Sequence, residues 1–151
     1  MEVKGGVKPK GRVIQFTVSC ETKDNWISNL VNLVAINGHY VLGFMGEYGI
    51  EMSCVRFVTE SPSEVRALLE AHGVHFCERE VIVVGLKSLD NLDGILRCLR
   101  AGEISVLYAY GLMISAQNRT GIILMVDDVV AGTEMLTRSG YEVLEQGDLS
   151  R

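Results

Sequence analysis

The second half of the chain repeats the apolar pattern of its first half. The apolar residues Ile27, Leu30, Val31, Val34, Val41 and Leu42 are followed 65 positions later by Leu92, Ile95, Leu96, Leu99, Val106 and Leu107. Further along, Leu69 and Gly73 match Leu136 and Gly140 at an offset of 67. A repeat of this length constrains the fold more than any single motif does. The 151 residues therefore predict two copies of one small α/β unit.

In the first copy, hydrophobic periodicity and turn signals predict the order β-α-β-β-α-β. The strands are expected at 12–20, about 40–48, about 52–59 and from 74 toward 77. The first helix follows capping residues and ends at Asn37 and Gly38, and the second helix begins at Ser61 and Pro62 and ends at Gly73. Asparagine and glycine tolerate the left-handed conformation that commonly ends a helix.

The second copy predicts the same order. Strands are expected at 81–86, 104–116, 121–127 and 141–144, with a turn at 117–120 and a last helix that ends at Gly140. Between the copies, residues 78–80 are the only polar break, so the two units are expected to pack rigidly.

This order is that of the ferredoxin-like motif, an antiparallel sheet with helices on one face. Each unit alone leaves an exposed sheet edge. We therefore expect an α+β fold in which two ferredoxin-like βαββαβ repeats join side by side into one antiparallel sheet with four helices on one face. The expected organisation is a flexible tail at 1–11, a first repeat at 12–77 and a second repeat at 78–149.

Composition excludes several classes of partner and location. The formal net charge of −5 and the lack of a basic face argue against nucleic acid. No apolar run reaches the roughly 18 residues that a membrane span needs. The N-terminal stretch has no apolar core typical of an export signal, and the four cysteines are scattered, so a cytoplasmic protein with reduced thiols is expected.

Several segments, in this order in both copies, resemble tandem ACT-domain proteins. The segments are 26–38, 58–62 and 68–74 in the first copy, and 104–110 and 136–143 in the second. The resemblance covers about residues 12–148. It implies a stand-alone regulatory module that binds an amino acid, with no attached catalytic domain.

The chain departs from the Asp-x-x-Gly turn that this family usually carries between its first strand and first helix. The Asp position falls on Thr22 in one copy and on Lys87 in the other, and the Gly position falls on Asn25 and Asp90. The candidate sites of the two copies are therefore not equivalent, and we expect at most one strong ligand site per chain.

The turns before the two first helices are the candidate ligand sites, because the free N–H groups and the dipole of a helix start attract a carboxylate. The predicted ligand-binding residues are Thr22, Asp24, Asn25 and Trp26 in the first turn, Ser88, Leu89, Asp90 and Asn91 in the second, and the strand pair Tyr108 and Tyr110. The alternatives are that Asn25 and Asp90 only cap their helices, and that Trp26 and the tyrosines only pack in the core.

No catalytic constellation, metal site or cofactor is predicted. His72, His75 and Cys77 lie close in sequence, but their positions at a helix end and in a strand do not suggest shared coordination. The sequence therefore favours a non-catalytic regulatory protein that binds an amino acid or similar metabolite at the repeat or dimer interface. A homodimer and a separate regulated enzyme are the expected partners. The alternative is an interaction or oligomerisation module that no longer binds a ligand.

Overall fold

The computed structural model describes residues 11–22, 25–88, 90–113 and 120–149. The strands are β1 (Val13–Glu21), β2 (Val41–Tyr48), β3 (Met52–Thr59), β4 (Cys77–Leu86), β5 (Val106–Gly111), β6 (Thr120–Val126) and β7 (Val143–Leu144). The α-helices are α1 (Trp26–Ile36), α2 (Pro62–Ala71), α3 (Asp90–Ala101) and α4 (Val129–Arg138), and a short 3-10 helix spans Gln146–Leu149. The predicted turn at 117–120 falls mainly on residues outside the described part.

All seven strands belong to one antiparallel sheet in the order β2-β3-β1-β4-β6-β5, with β7 also paired to β4. The predicted α+β arrangement of two ferredoxin-like repeats in one sheet is confirmed. One strand serves both repeats: β4 pairs with β1 through Val13↔Val81 to Thr17↔Cys77 and with β6 through Ile82↔Leu124 to Leu86↔Thr120. The two strands predicted at 74–77 and 81–86 are thus one, and the polar triplet 78–80 lies inside it.

The sheet curls until its two outer strands meet. Gly43 of β2 and Leu112, just after β5, form an antiparallel bridge, and the backbone N–H of Met113 donates to the carbonyl of Leu42 over 2.7 Å. A Cβ at Gly43 would lie 2.4 Å from Ile123 Cδ1, so glycine leaves room here for the Ile123 side chain of β6. The curled sheet has an inner face, and its outer face carries the helices.

The outer face holds one apolar core for each repeat. In the first, Leu30 of α1 and Val65 and Leu69 of α2 pack on outward residues such as Phe16. In the second repeat, buried residues from α3, α4, β4 and β6 form the equivalent cluster, which includes Ile82, Ile95, Leu99, Leu124 and Leu136. Of the repeated apolar positions, Leu30 in the first repeat and Ile95 and Leu99 in the second lie in these helix-covered cores, whereas Leu42 lies on the inner face and Leu107 is exposed.

The inner face forms a third core that joins the repeats. Its buried members come from both halves of the chain: Val13, Leu42, Val58, Val81, Val83, Tyr110, Ile123, Leu144 and Leu149. Gln146, which is 3% exposed, ties the C-terminal segment to the first repeat. Its side chain accepts from the N–H of Ile14 over 3.0 Å and donates to the carbonyl of Thr59 over 2.9 Å.

Local sequence signals explain where the helices begin. Pro62 occupies the first turn of α2, where a missing N–H costs nothing. Asp128 caps α4 by accepting from Ala131 N over 3.0 Å. Within the described residues, no helix is both long and apolar enough to cross a membrane.

Candidate functional site

The turn that follows β1 is fixed by the hydroxyl of Thr22. This oxygen lies 2.8 Å from the carbonyl of Gly49, to which it donates, and 2.7 Å from the hydroxyl of Ser53. The backbone N–H of Thr22 donates to the carbonyl of Glu51 over 2.8 Å. Thr22 therefore ties the start of the turn to the tip of the β2–β3 hairpin, and it brings that hairpin beside the first helix.

Asn25 has a left-handed backbone, with φ of 48° and ψ of 26°. This is the conformation that glycine adopts freely and that asparagine tolerates better than most residues. Asn25 therefore keeps the backbone geometry that a glycine would have at this turn, although it adds a side chain. That side chain makes no capping hydrogen bond to α1.

The start of α1 can attract an anion. The first N–H groups of a helix have no acceptor within the helix, and the helix dipole gives them a partial positive charge. No acidic residue lies in the first turn of α1. Among the described residues, the N-terminus of α1 therefore carries no carboxylate.

A groove of about 490 Å³ lies against this helix start. It is lined by Thr22, Asn25, Trp26, Ile27, Ser28, Tyr48 and Ser53. We call it the turn groove. Its volume falls within the range of about 300–1,000 Å³ that is usual for small-molecule sites. Ser53 forms a buried polar floor, whereas the ring of Tyr48 is 70% exposed and lies over Gly46.

The matching turn of the second repeat is organised differently. The amide oxygen of Asn91 accepts from the backbone N–H of Ser88 over 3.1 Å and lies 3.3 Å from its hydroxyl. Asp90 and Asp93 place two carboxylates in the first turn of α3. Asp93 pairs with Arg97 one turn along the helix, so Asp90 is the carboxylate that opposes the binding of an anion, and Asn91 already has a partner. The two turns are thus unequal in charge and in free polar groups.

The two turns also lie at opposite ends of the sheet. The first follows the carboxyl end of β1 and the second follows that of β4, and these neighbouring strands are antiparallel. A ligand at one turn does not touch the other.

Tyr108 and Tyr110 lie on the inner face, away from both turns. The rings stack with centroids 6.5 Å apart. Tyr110 donates to Gln15 Oε1 over 2.6 Å, and Gln15 Nε2 donates to the hydroxyl of Tyr108 over 2.8 Å. Arg56, which is paired with Glu47, lies 4.4 Å from the centroid of the Tyr108 ring. These contacts link β1 and β3 of the first repeat to β5 of the second.

Burial shapes the chemistry of this inner network. Tyr110 is 9% exposed, and removal from water, reinforced by Tyr108, raises the pKa of its hydroxyl well above the usual value, against the smaller opposing effect of Arg56. Tyr110 is therefore a neutral hydrogen-bond donor at physiological pH. Gln15 is fully buried and uses both ends of its amide here.

The predicted site residues thus fall into three places. Thr22, Asn25 and Trp26 share the turn groove; Ser88, Asp90 and Asn91 share the second turn; and Tyr108 and Tyr110 share the inner network. Asp24 and Leu89 lie outside the described residues. The sequence interpretation missed Tyr48 and Ser53 in the groove and Gln15 in the network. For Tyr48 and Ser53, the length of the β2–β3 hairpin was the only sequence signal. For Gln15, the signal was its inward-facing position on β1.

The histidine and cysteine side chains of the described residues form no metal-binding group. In the described part of the chain, no group of three or more His, Cys, Asp or Glu side chains is arranged to hold a metal ion. The ring nitrogen Nδ1 of His72 lies 2.9 Å from the carbonyl of Leu68, at the end of α2. All four cysteines are unpaired.

No protein-family model matches the chain, and no curated protein sequence is significantly similar to it. Solved structures do match. A protein of Bacteroides thetaiotaomicron has a TM-score of 0.81 at 14% identity, with 93% of this chain and 96% of the other covered. The ligand-free regulatory subunit of aspartate kinase from Thermus thermophilus has a TM-score of 0.56 at 13% identity, with 85% and 93% covered. The same subunit from Thermus flavus has a TM-score of 0.56 at 11% identity, with 85% and 92% covered.

These matches show the class of fold. The chain has the architecture of the aspartate kinase regulatory subunits over nearly their whole length, in agreement with its resemblance to tandem ACT-domain proteins. At such low identity the likeness concerns the fold alone, and the site has to be argued from this chain's own residues.

Proposed function

We propose that this chain is a non-catalytic regulatory protein that binds an amino acid or a similar small carboxylate in the turn groove. The observation that carries this proposal is the open N-terminus of α1 beside a groove of about 490 Å³. The regulatory subunits that share the fold support the regulatory part. Control of a separate partner enzyme, assembly as a homodimer and a cytoplasmic location belong to the same proposal.

The proposed pose follows from the charges. The ligand carboxylate accepts from the free N–H groups at the start of α1, where the dipole contributes about 0.3–1 kcal/mol. The left-handed turn at Asn25 exposes those groups, and its amide is available to the ligand. The side chain of the ligand lies against Trp26, Ile27 and Tyr48. The second turn, with Asp90 and Asp93 at its helix start, is the weaker site.

The test is a thermal-shift screen of the twenty amino acids, read together with the fluorescence of Trp26, the only tryptophan of the chain. A ligand at 100 times its Kd stabilises the folded state by about 2.7 kcal/mol. For a chain of this size, that raises the Tm by about 5–10 °C.

Matched variants then place the site. Thr22→Val removes the hydroxyl that holds the hairpin tip and is expected to weaken binding, whereas Ser88→Ala at the second turn is expected to leave it unchanged. Asn25→Gly keeps the left-handed backbone and tests the amide alone. If no amino acid shifts the Tm at millimolar concentration, the chain is instead an interaction module. Equal loss in the Thr22 and Ser88 variants would move the site elsewhere.

A further inference from the structure

A second groove, of about 420 Å³, lies on the other side of Trp26. Its apolar lining comes from Val18, Trp26, Leu30, Leu33 and Val74, and its polar lining comes from Ser19, Cys20, Asn29, His72 and His75, with Gly73 between the histidines. We call it the edge groove, because one wall is the edge of β1. No part of the amino-acid proposal uses it.

The edge of β1 is left open here because β4 starts late. The last β1–β4 pair is Thr17↔Cys77. Continuing that register by two residues would put His75 opposite Ser19, but residues 72–76 instead follow the end of α2. Val74 N donates to Leu69 O over 3.0 Å, and Phe76 contacts the ring of Phe16 edge-on. These contacts hold residues 72–76 away from β1. The edge groove is the space between these residues and β1.

The direction of the free backbone groups follows from the β1–β3 ladder. Thr22 N donates to Glu51 O, its opposite residue, so the even-numbered residues of β1 turn their N–H and C=O groups toward β3. Alternate residues of a strand point these groups to opposite sides. The N–H and C=O of Ser19 therefore point away from β3, into the edge groove, and no described residue pairs with them.

A donor and an acceptor from one strand residue are complementary to the C=O and N–H of another extended residue. The edge groove thus lies where the β1–β4 ladder would continue if β4 began earlier in the chain. A residue opposite Ser19 would turn its side chain to the inner face, as Ser19 does, so the floor of Trp26, Leu30 and Leu33 suits the apolar side chains of the residues next to it in the segment.

We infer that the edge groove binds an extended, apolar peptide segment of a partner protein by adding it as a strand beside Ser19. The segment supplies the pairing beside Ser19 that β4 does not provide, because β4 begins only at Cys77. Since the open edge of β1 is only about four residues long, recognition is confined to a short segment. This inference does not depend on amino-acid binding in the turn groove.

The experiment uses the full chain and the blocked peptide acetyl-Lys-Val-Leu-Val-Lys-amide. Binding is followed by Trp26 fluorescence, and hydrogen exchange of the Ser19 amide is followed by NMR. The expected result is saturable binding that slows exchange at Ser19. Two singly N-methylated peptides, methylated at the central Leu or at one Val, remove donors from opposite edges of the added strand. They are expected to differ in affinity by about tenfold, since only one loses the pairing hydrogen bond.

Protein variants complete the test. Leu33→Asp places a charge on the groove floor and is expected to weaken binding about tenfold or more, whereas Val130→Asp, at a position that is 60% exposed on α4, is the matched control. Because the N-methyl comparison leaves the protein unchanged, it stands even if a variant folds poorly. No binding at millimolar peptide, equal affinity of the two methylated peptides, or unchanged exchange at Ser19 would overturn the inference. A response to amino acids without a response to peptide would remove this inference and leave the turn-groove proposal intact.

Discussion

The inner network offers the sharpest test of how the two repeats are held together. Tyr110→Phe removes the hydroxyl that donates to Gln15 Oε1 over 2.6 Å and leaves the rest of the ring in place. Gln15 is fully buried, so its amide oxygen then lacks both this donor and water. Leaving a buried acceptor unsatisfied costs about 1–3 kcal/mol. For a chain of 151 residues this lowers the Tm by roughly 3–10 °C.

The measurement is chemical and thermal unfolding of the native chain and Tyr110→Phe. Tyr48→Phe, at a position that is 70% exposed, is the control and is expected to change stability by no more than about 0.5 kcal/mol. The double variant with Gln15→Met removes both partners, so its cost is expected to differ from the sum of the single costs by about 0.5–3 kcal/mol. A native-like Tyr110→Phe, or single costs that simply add, would refute the assignment of this bond as a link between the repeats.

Two further results are expected. Burial raises the pKa of Tyr110 above the value near 10 of an unfolded tyrosine, so the stabilising effect of this hydroxyl is complete below about pH 10 and is lost as the pH rises further. The free energy of unfolding should therefore fall more steeply between about pH 10 and 11 in the native chain than in Tyr110→Phe. Equal slopes would contradict this. Gln146→Ala removes two hydrogen bonds to the first repeat and is expected to lower the free energy of unfolding in urea by about 1–3 kcal/mol. The neighbouring Glu145→Ala is the control, with an expected loss of no more than about 0.5 kcal/mol. Similar effects of the two variants would show that Gln146 does not anchor the C-terminal segment.

Much of the fold could be predicted because it is recorded in local patterns. The apolar spacing around Leu30 and Leu99 gives α1 and α3, and Gly73 and Gly140, both with positive φ, follow the ends of α2 and α4. The single shared strand could not be predicted, because the charged residues 78–80 resemble a link. They are exposed within β4, where a strand tolerates charge without losing its backbone pairing. The meeting of β2 and β5 at Gly43 depends on the twist of the whole sheet, which no local pattern encodes.

The candidate site was predictable only in part, for a similar reason. Thr22, Asn25 and Trp26 lie next to each other in sequence, so a turn motif is enough to find them. Tyr48 and Ser53 reach the same groove through the hairpin that Thr22 holds. Asn25 holds a left-handed backbone, with φ of 48°, which asparagine tolerates better than most residues.

The sharing of β4 has a consequence for how such a duplicated chain can evolve. The first repeat pairs with β4 over residues 77–81 through β1, and the second pairs with it over residues 82–86 through β6 and β7, so both repeats depend on one continuous strand. The two turns lie at opposite ends of the sheet, so a substitution in one need not disturb the other. Among the described residues, carboxylates lie in the first turn of α3 and not in that of α1, which is a difference that this arrangement allows.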